Sequence, residues 1–115
     1  MIQIYAFCGM GKTTLCDKYG YTDDDMYDIK RPPIKEGSVV LTNEPPDDCD
    51  AYFLPPNYEN AFAKLSPDKQ KFFNEYKDLL KTQYENVQRH YEPIMKDYIT
   101  HKDITTVIKR KVRNT

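Results

Sequence analysis

Residues 2–15, IQIYAFCGMGKTTL, decide the fold of this 115-residue chain. The run from Ile2 to Cys8 is largely apolar, as a short buried strand requires. Gly9 and Gly11 follow it, and the segment from Lys12 to Tyr19 has a helical pattern. The stretch therefore predicts a strand, a glycine-rich turn and a helix in direct succession.

The segment from Ala6 to Thr13 fits the phosphate-loop (P-loop) pattern G-x-x-x-x-G-K-[ST], with alanine as the small residue at its first position. Glycine at positions 9 and 11 lets the backbone take unusual dihedral angles and come close to phosphate oxygens. The amides from Gly9 to Thr14 would then point inward at a helix N-terminus, which attracts an anion. A glycine-rich turn that holds no ligand is the alternative.

Two side chains of the loop suit nucleotide chemistry. Lys12 would reach the β- and γ-phosphates as a point charge, and the Thr13 hydroxyl would ligate Mg²⁺. The candidate nucleotide-binding residues are Gly9, Met10, Gly11, Lys12, Thr13 and Thr14.

An acidic cluster follows the first helix, with carboxylates at Asp23, Asp24, Asp25 and Asp28. Adjacent like charges repel, so we expect something to compensate them. A divalent cation shared with Thr13 would do so, as would the N-terminus of a short helix starting near Asp24. If residues 21–22 form a strand beside the first one, Asp23 and Asp25 lie at the carboxyl end of that strand, near the phosphates. Both interpretations stay open.

Two further apolar segments predict strands. Residues 37–44 form a buried strand that ends in polar residues, and its late acid, Glu44, is a candidate for activating water or for the Mg²⁺ shell. The segment from Ala51 to Leu54 is a third short strand, stopped by Pro55. Ahead of these strands, Arg31 either binds a phosphate or neutralises the aspartates.

The second half of the chain has a helical pattern. Ser66 is a suitable N-cap, with proline after it. Apolar residues between positions 72 and 98 recur at three- and four-residue spacing, which predicts a stripe that faces the core. Pro93 should kink or break this helix, and Arg89 and His90 just before it are the candidate lid groups.

A last segment follows Asp103, which is predicted to cap it. Its apolar residues keep helical spacing, although its β-branched residues leave a strand open. The cations near its end, Lys109, Arg110, Lys111 and Arg113, suit the C-terminus of a helix and need no ligand there.

Charge and composition limit the partners. Residues 1–60 hold five Lys and Arg against eleven Asp and Glu, and residues 61–115 hold twelve against seven. The basic residues of the second half are mostly interleaved with acids, as on a solvated helix face, so nucleic-acid binding is not expected. The three cysteines, Cys8, Cys16 and Cys49, have no metal-site spacing and fit reduced thiols in a cytoplasm. No stretch predicts a signal peptide or a membrane span.

The loop, followed by Asp23-x-Asp25 and the apolar strands around Val39 and Tyr52, resembles the small P-loop kinases of nucleoside monophosphates, particularly the deoxynucleoside monophosphate kinase-like proteins of tailed bacteriophages. The resemblance implies that Lys12 stabilises charge on the transferred phosphoryl group. It also implies that the D-x-D pair contacts magnesium and the acceptor, with Thr13 and Asp23 as metal ligands and Asp25 as a catalytic residue. Residues 29–37 replace the acceptor-binding helical region of such kinases, and no arginine cluster marks a lid. The chain thus resembles a minimal or degenerate member.

The sequence therefore predicts one α/β domain over residues 1–115, a small P-loop NTPase-like three-layer fold. Its short, mostly parallel sheet would have Ile2–Phe7 at the centre and helices on both sides. The predicted function is ATP or GTP binding with Mg²⁺ and phosphate transfer to a small acceptor such as a nucleotide, in the cytoplasm, or in the host cytoplasm for a phage-encoded protein. The alternatives are a catalytically degenerate module that binds a protein, through its long helix, or a nucleic acid, and a slow nucleotide hydrolase that uses Glu44.

Overall fold

A computed structural model describes residues 2–24, 39–44, 49–63 and 65–113 of the chain. Within these residues the chain forms five strands and five helices. In chain order they are β1 Ile2–Ala6, α1 Lys12–Tyr19, β2 Thr22–Asp24, β3 Val39–Thr42, β4 Ala51–Leu54, α2 Tyr58–Ala63, α3 Pro67–Glu75, α4 Lys77–His90, β5 Ile94–Met95 and α5 His101–Arg113.

The five strands form one sheet in which every pairing is parallel, in the order β2-β3-β1-β4-β5. The first strand is central: Ile4 pairs with Leu41 of β3 on one side and with Ala51 of β4 on the other. Helices flank the sheet, so the predicted α/β class and the central position of β1 are confirmed. The ladders bring the carboxyl ends of β1, β3 and β4 to one edge of the sheet, where the glycine-rich loop begins.

The short strand near residue 22 exists, but its predicted place beside the first strand is wrong. Thr22 pairs with Val40, so β3 lies between β2 and β1. The sequences of the two strands explain this order. The interior of a parallel sheet is covered on both faces and favours the apolar Val-Val-Leu of β3, whereas β2 contains two aspartates and suits an outer position.

Aromatic side chains form the core on one face of the sheet. Side chains alternate along a strand, so Tyr5 and Phe7 point to the same face. The ring of Phe7 lies 6.2 Å from Tyr58, 6.4 Å from Phe73 and 5.5 Å from Tyr84, measured between centroids. These three partners belong to α2, α3 and α4, so one residue directly after β1 contacts all three helices.

The long helix predicted between residues 66 and 98 is interrupted. It begins as expected after Ser66, and it changes from α3 to α4 at Tyr76, whose φ and ψ are −107° and 24°. Helix α4 ends at His90. The predicted break before Pro93 is confirmed, because proline cannot continue a helix and favours extended backbone before it, and the chain goes on into strand β5.

The last segment is a helix, and its cap differs from the prediction. The Thr100 hydroxyl accepts a hydrogen bond from the Asp103 amide at 3.2 Å, while the Thr100 amide donates to the Asp103 carboxylate at 2.8 Å. Thr100 is therefore the N-cap and Asp103 its reciprocal partner. Burial raises the pKa of the Asp103 carboxyl, but the hydrogen bonds from Lys96 and Thr100 outweigh burial and hold that pKa below its ordinary value of 3.8.

Candidate functional site

The glycine-rich loop continues directly from the central strand. The Phe7 amide donates to the carbonyl of Phe53 at 3.3 Å, which extends the β1–β4 ladder one residue beyond the strand. Gly9 and Gly11 then take φ values of 84° and 87°, in the left-handed region that favours glycine. Helix α1 begins at Lys12, with the Gly11 carbonyl accepting from the Leu15 amide at 3.1 Å. The predicted succession of strand, turn and helix is confirmed.

Two contacts hold the loop in this shape. The side chain of Met10 is buried. The backbone carbonyl of Met10 accepts a hydrogen bond at 3.1 Å from the amide of Ile99, which lies just ahead of α5. Gly9 lies so close to α2 that a β-carbon there would stand 3.0 Å from the carbonyl oxygen of Ala61 and 3.2 Å from Leu65. The loop is thus fixed from both sides by elements far away in sequence.

The loop forms one wall of a cavity of about 400 Å³. The loop and α1 contribute polar residues to the lining, and α3 and the segment before it contribute further residues. The lining residues are Phe7, Cys8, Gly9, Gly11, Lys12, Thr13, Thr14, Asn43, Leu65, Asp68, Lys69, Phe72 and Phe73. The lining thus combines residues of the strand-to-helix loop with four aromatic or aliphatic residues, Phe7, Leu65, Phe72 and Phe73.

Lys12 is already paired inside the protein. Its ammonium group forms an ion pair and a hydrogen bond with the carboxylate of Asp23 on β2. The side chain of Lys12 is 9% exposed and that of Asp23 is 29% exposed, so water screens this pair only in part. The structure therefore places two of the predicted site residues in direct contact with each other.

The buried thiol of Cys16 lies near this pair. Burial raises the pKa of Cys16 from its ordinary value of 9.0 to about 12; the negative charge of Asp23 raises it too, whereas the positive charge of Lys12 lowers it. Cys16 follows Lys12 by four residues, one turn along the same face of α1. It stays protonated at neutral pH and contributes to packing.

After β3, the side chain that lines the cavity is that of Asn43, an amide, and not that of Glu44, the acid that the sequence suggested. Asn43 is 3% exposed and lines the cavity, whereas the side chain of Glu44 is exposed and is not among the lining residues. The Thr42 hydroxyl donates to the Asp24 carboxylate at 3.0 Å and accepts from the Glu44 amide at 3.0 Å. The structure therefore does not bring Glu44 to the cavity lining.

Of the two predicted metal ligands, Thr13 lines the cavity, whereas Asp23 pairs with Lys12 and is not among the lining residues. Among the described residues there is no group of three or more His, Cys, Asp and Glu side chains that could hold a metal. Thr13 in α1 and Asp23 on β2 both carry hard oxygen atoms. Mg²⁺ keeps several waters and takes one or two protein oxygens together with substrate phosphates, so this donor set suits it.

Other predicted residues lie elsewhere. Asp25 and Arg31 fall outside the described residues. Arg89 and His90 are exposed in the last turn of α4 and do not line the cavity, so the structure does not bring them to the loop.

The sequence interpretation missed several residues that line the cavity, among them Asn43, Asp68 and Lys69. Lys69 lies in the first turns of α3 and lines the same cavity as Lys12. A signal was present: Lys69, Phe72 and Phe73 are spaced i, i+3 and i+4, which places the lysine on the helix face that carries the two aromatic rings.

No described helix combines the length and the apolar character needed to cross a membrane. Comparisons with family models, with curated proteins and with solved structures find no match to this chain.

Proposed function

We propose that this chain binds a nucleoside triphosphate, ATP or GTP, with Mg²⁺ at the loop formed by residues 8–14, and that it transfers a phosphoryl group to a small acceptor such as a nucleotide. The observation that carries the proposal is the geometry of the loop. Two glycines in left-handed conformations lead from the central strand into helix α1, at the wall of a 400 Å³ cavity. Backbone amides at such a strand-to-helix turn bind phosphate.

The position of the loop in the sheet supports the same proposal. Ligands of open parallel sheets bind beyond the carboxyl ends of the strands, where neighbouring strands lead off in opposite directions. Strand β1 is flanked by β3 on one side and β4 on the other, so the loop after β1 leaves the sheet at such a point. This position supports the proposed P-loop NTPase-like fold.

Phosphoryl transfer depends mainly on positioning and on positive charge around the transferred group. Lys12 and Lys69 supply two cations to the lining of the cavity. Thr13 and Asp23 would hold Mg²⁺, which neutralises phosphate charge when bound. The rings of Phe72 and Phe73 give the cavity an apolar side on which a planar base can lie.

The first experiment is a calorimetric titration of the full chain with ATP and with GTP, each with and without Mg²⁺. Lys12→Ala is the test variant. Lys18→Ala is the matched control, because Lys18 lies exposed near the end of the same helix. We expect magnesium-dependent binding that weakens by at least about tenfold in Lys12→Ala and stays within about twofold in Lys18→Ala. No binding at millimolar nucleotide would overturn the proposal.

Transfer is then tested by incubating the protein with Mg²⁺, the preferred triphosphate and each nucleoside monophosphate in turn. Formation of a diphosphate from one of the monophosphates, lost in Lys12→Ala, is the expected result. Binding without any transfer would overturn the kinase part of the proposal and keep the nucleotide site.

A further inference from the structure

The ion pair between Lys12 and Asp23 has a consequence for how phosphate enters the site. Lys12 is the first residue of α1, and Asp23 lies on β2. Their side chains form an ion pair between the two elements. A phosphate that approaches the loop therefore meets a lysine that is already neutralised and a carboxylate that repels it. Because the pair is largely shielded from water, separating it without a replacement partner for Asp23 is costly.

Asp23 is placed to pair with Lys12, whereas its neighbour Asp24 is not. Successive strand residues point to opposite faces of the sheet, so Asp23 and Asp24 are directed differently. Asp24 is 8% exposed and accepts a hydrogen bond from the Thr42 hydroxyl. Asp23 is more exposed and contacts the lysine of the loop. The opposite effects of Lys12 and Asp23 on the Cys16 thiol agree with both charges lying beside α1.

We propose that Asp23 is a positioning residue that holds Lys12 in the unliganded protein and releases it to phosphate when its own carboxylate turns to Mg²⁺. This rests on the proposed function, since it concerns the same loop. The carboxylate has two alternative partners, the ammonium of Lys12 and the metal. Phosphate and metal therefore favour each other's binding, and this coupling is reciprocal. Without metal, Asp23 competes with phosphate for Lys12.

The test uses tripolyphosphate as the probe, because it has no base and reports on the phosphate loop alone. The full chain and Asp23→Asn are titrated with tripolyphosphate by calorimetry, with and without Mg²⁺. For the unmodified chain we expect Mg²⁺ to tighten binding by about tenfold or more. For Asp23→Asn we expect metal-free binding about tenfold tighter than in the unmodified chain, and a gain from Mg²⁺ below about threefold.

Asp17→Asn is the matched control. Asp17 is exposed on α1, and its replacement removes the same charge near the loop without touching Lys12. If Asp17→Asn tightens metal-free binding as much as Asp23→Asn, general electrostatics explains the effect and the role of Asp23 is overturned. Equal gains from Mg²⁺ in the unmodified chain and in Asp23→Asn overturn it as well.

The same titrations separate failure of the proposed function from failure of the role of Asp23. If no variant binds tripolyphosphate with or without Mg²⁺, the loop is not a phosphate site and both proposals fall. If the unmodified chain binds it and Asp23→Asn behaves identically, only the role of Asp23 falls. Thermal unfolding of each variant checks the fold, and Asp23→Ser repeats the test if the asparagine variant does not fold.

Discussion

Gly9 lies against the carbonyl of Ala61 so closely that a β-carbon at residue 9 would stand 3.0 Å from that oxygen. Gly20, at the end of α1, is also left-handed, with φ of 73°, but a β-carbon there would meet no atom within 4 Å. The two glycines therefore separate the cost of backbone strain from the cost of a steric clash.

We expect Gly20→Ala to lower the free energy of unfolding by about 1 kcal/mol, the cost of a left-handed residue with a side chain. Gly9→Ala should cost about 3 kcal/mol, because α2 or the loop must also move. Urea unfolding of both variants measures the difference. Equal losses of unfolding free energy in the two variants would mean that α2 or the loop shifts to accept the β-carbon at no cost.

Lys69 should contribute to anion binding through the cavity wall. We expect Lys69→Ala to weaken tripolyphosphate binding by about tenfold, the loss of one charged hydrogen-bond partner. The effect should shrink at high salt. Lys71→Ala is the matched control, because Lys71 is exposed on the same helix and is not among the lining residues of the cavity. Equal weakening in the two variants would assign the effect to the overall charge of α3.

The Cys16 thiol should make stability depend on alkaline pH. Its pKa is about 12 in the folded chain and close to 9.0 when exposed, so the folded chain keeps a proton that the unfolded chain gives up above pH 9. The stabilisation is complete below pH 9 and is lost as pH rises toward 12, by at most about 1.4 kcal/mol per pH unit.

Urea unfolding between pH 7 and pH 11 tests this, with Cys16→Ala as the comparison. The tyrosines titrate in both proteins, so the difference between the two curves belongs to the thiol. The difference should be constant up to pH 9 and then shift in favour of Cys16→Ala. Two parallel curves over the whole range would contradict the prediction.

The sequence predicts the elements that carry their own local signals. Strand β1, the glycine turn and α1 follow from an apolar run, two glycines and a helical pattern, and β4 has the predicted bounds Ala51–Leu54. Strand β5 was not predicted, because it has only two residues, Ile94 and Met95, and both are exposed. A pattern of alternation cannot show in two residues, and only pairing with Phe53 and Leu54 makes them a strand.

In the candidate site, too, the sequence predicts what has a local signal and does not predict contacts between distant residues. The residues of the loop follow from the motif, since their chemistry depends on spacing along the chain. The contact of Lys12 with Asp23 depends on which strand lies beside which, and the order of β2 and β3 was not predicted correctly. Lys69 reaches the cavity because α3 follows an unpredicted helix, α2, that sets its position. Side-chain contacts across the fold need the tertiary structure.

The central place of β1 has a consequence for the newly made chain. A ribosome releases β1 first, but its partners Leu41 and Ala51 follow about forty residues later, and such long-range pairing is slow. The Met10 carbonyl can accept its hydrogen bond from the Ile99 amide only after Ile99 has left the ribosome. A nascent chain therefore carries the complete glycine motif before the contact from Ile99 can form, and we expect the loop to take its final shape only when α5 docks.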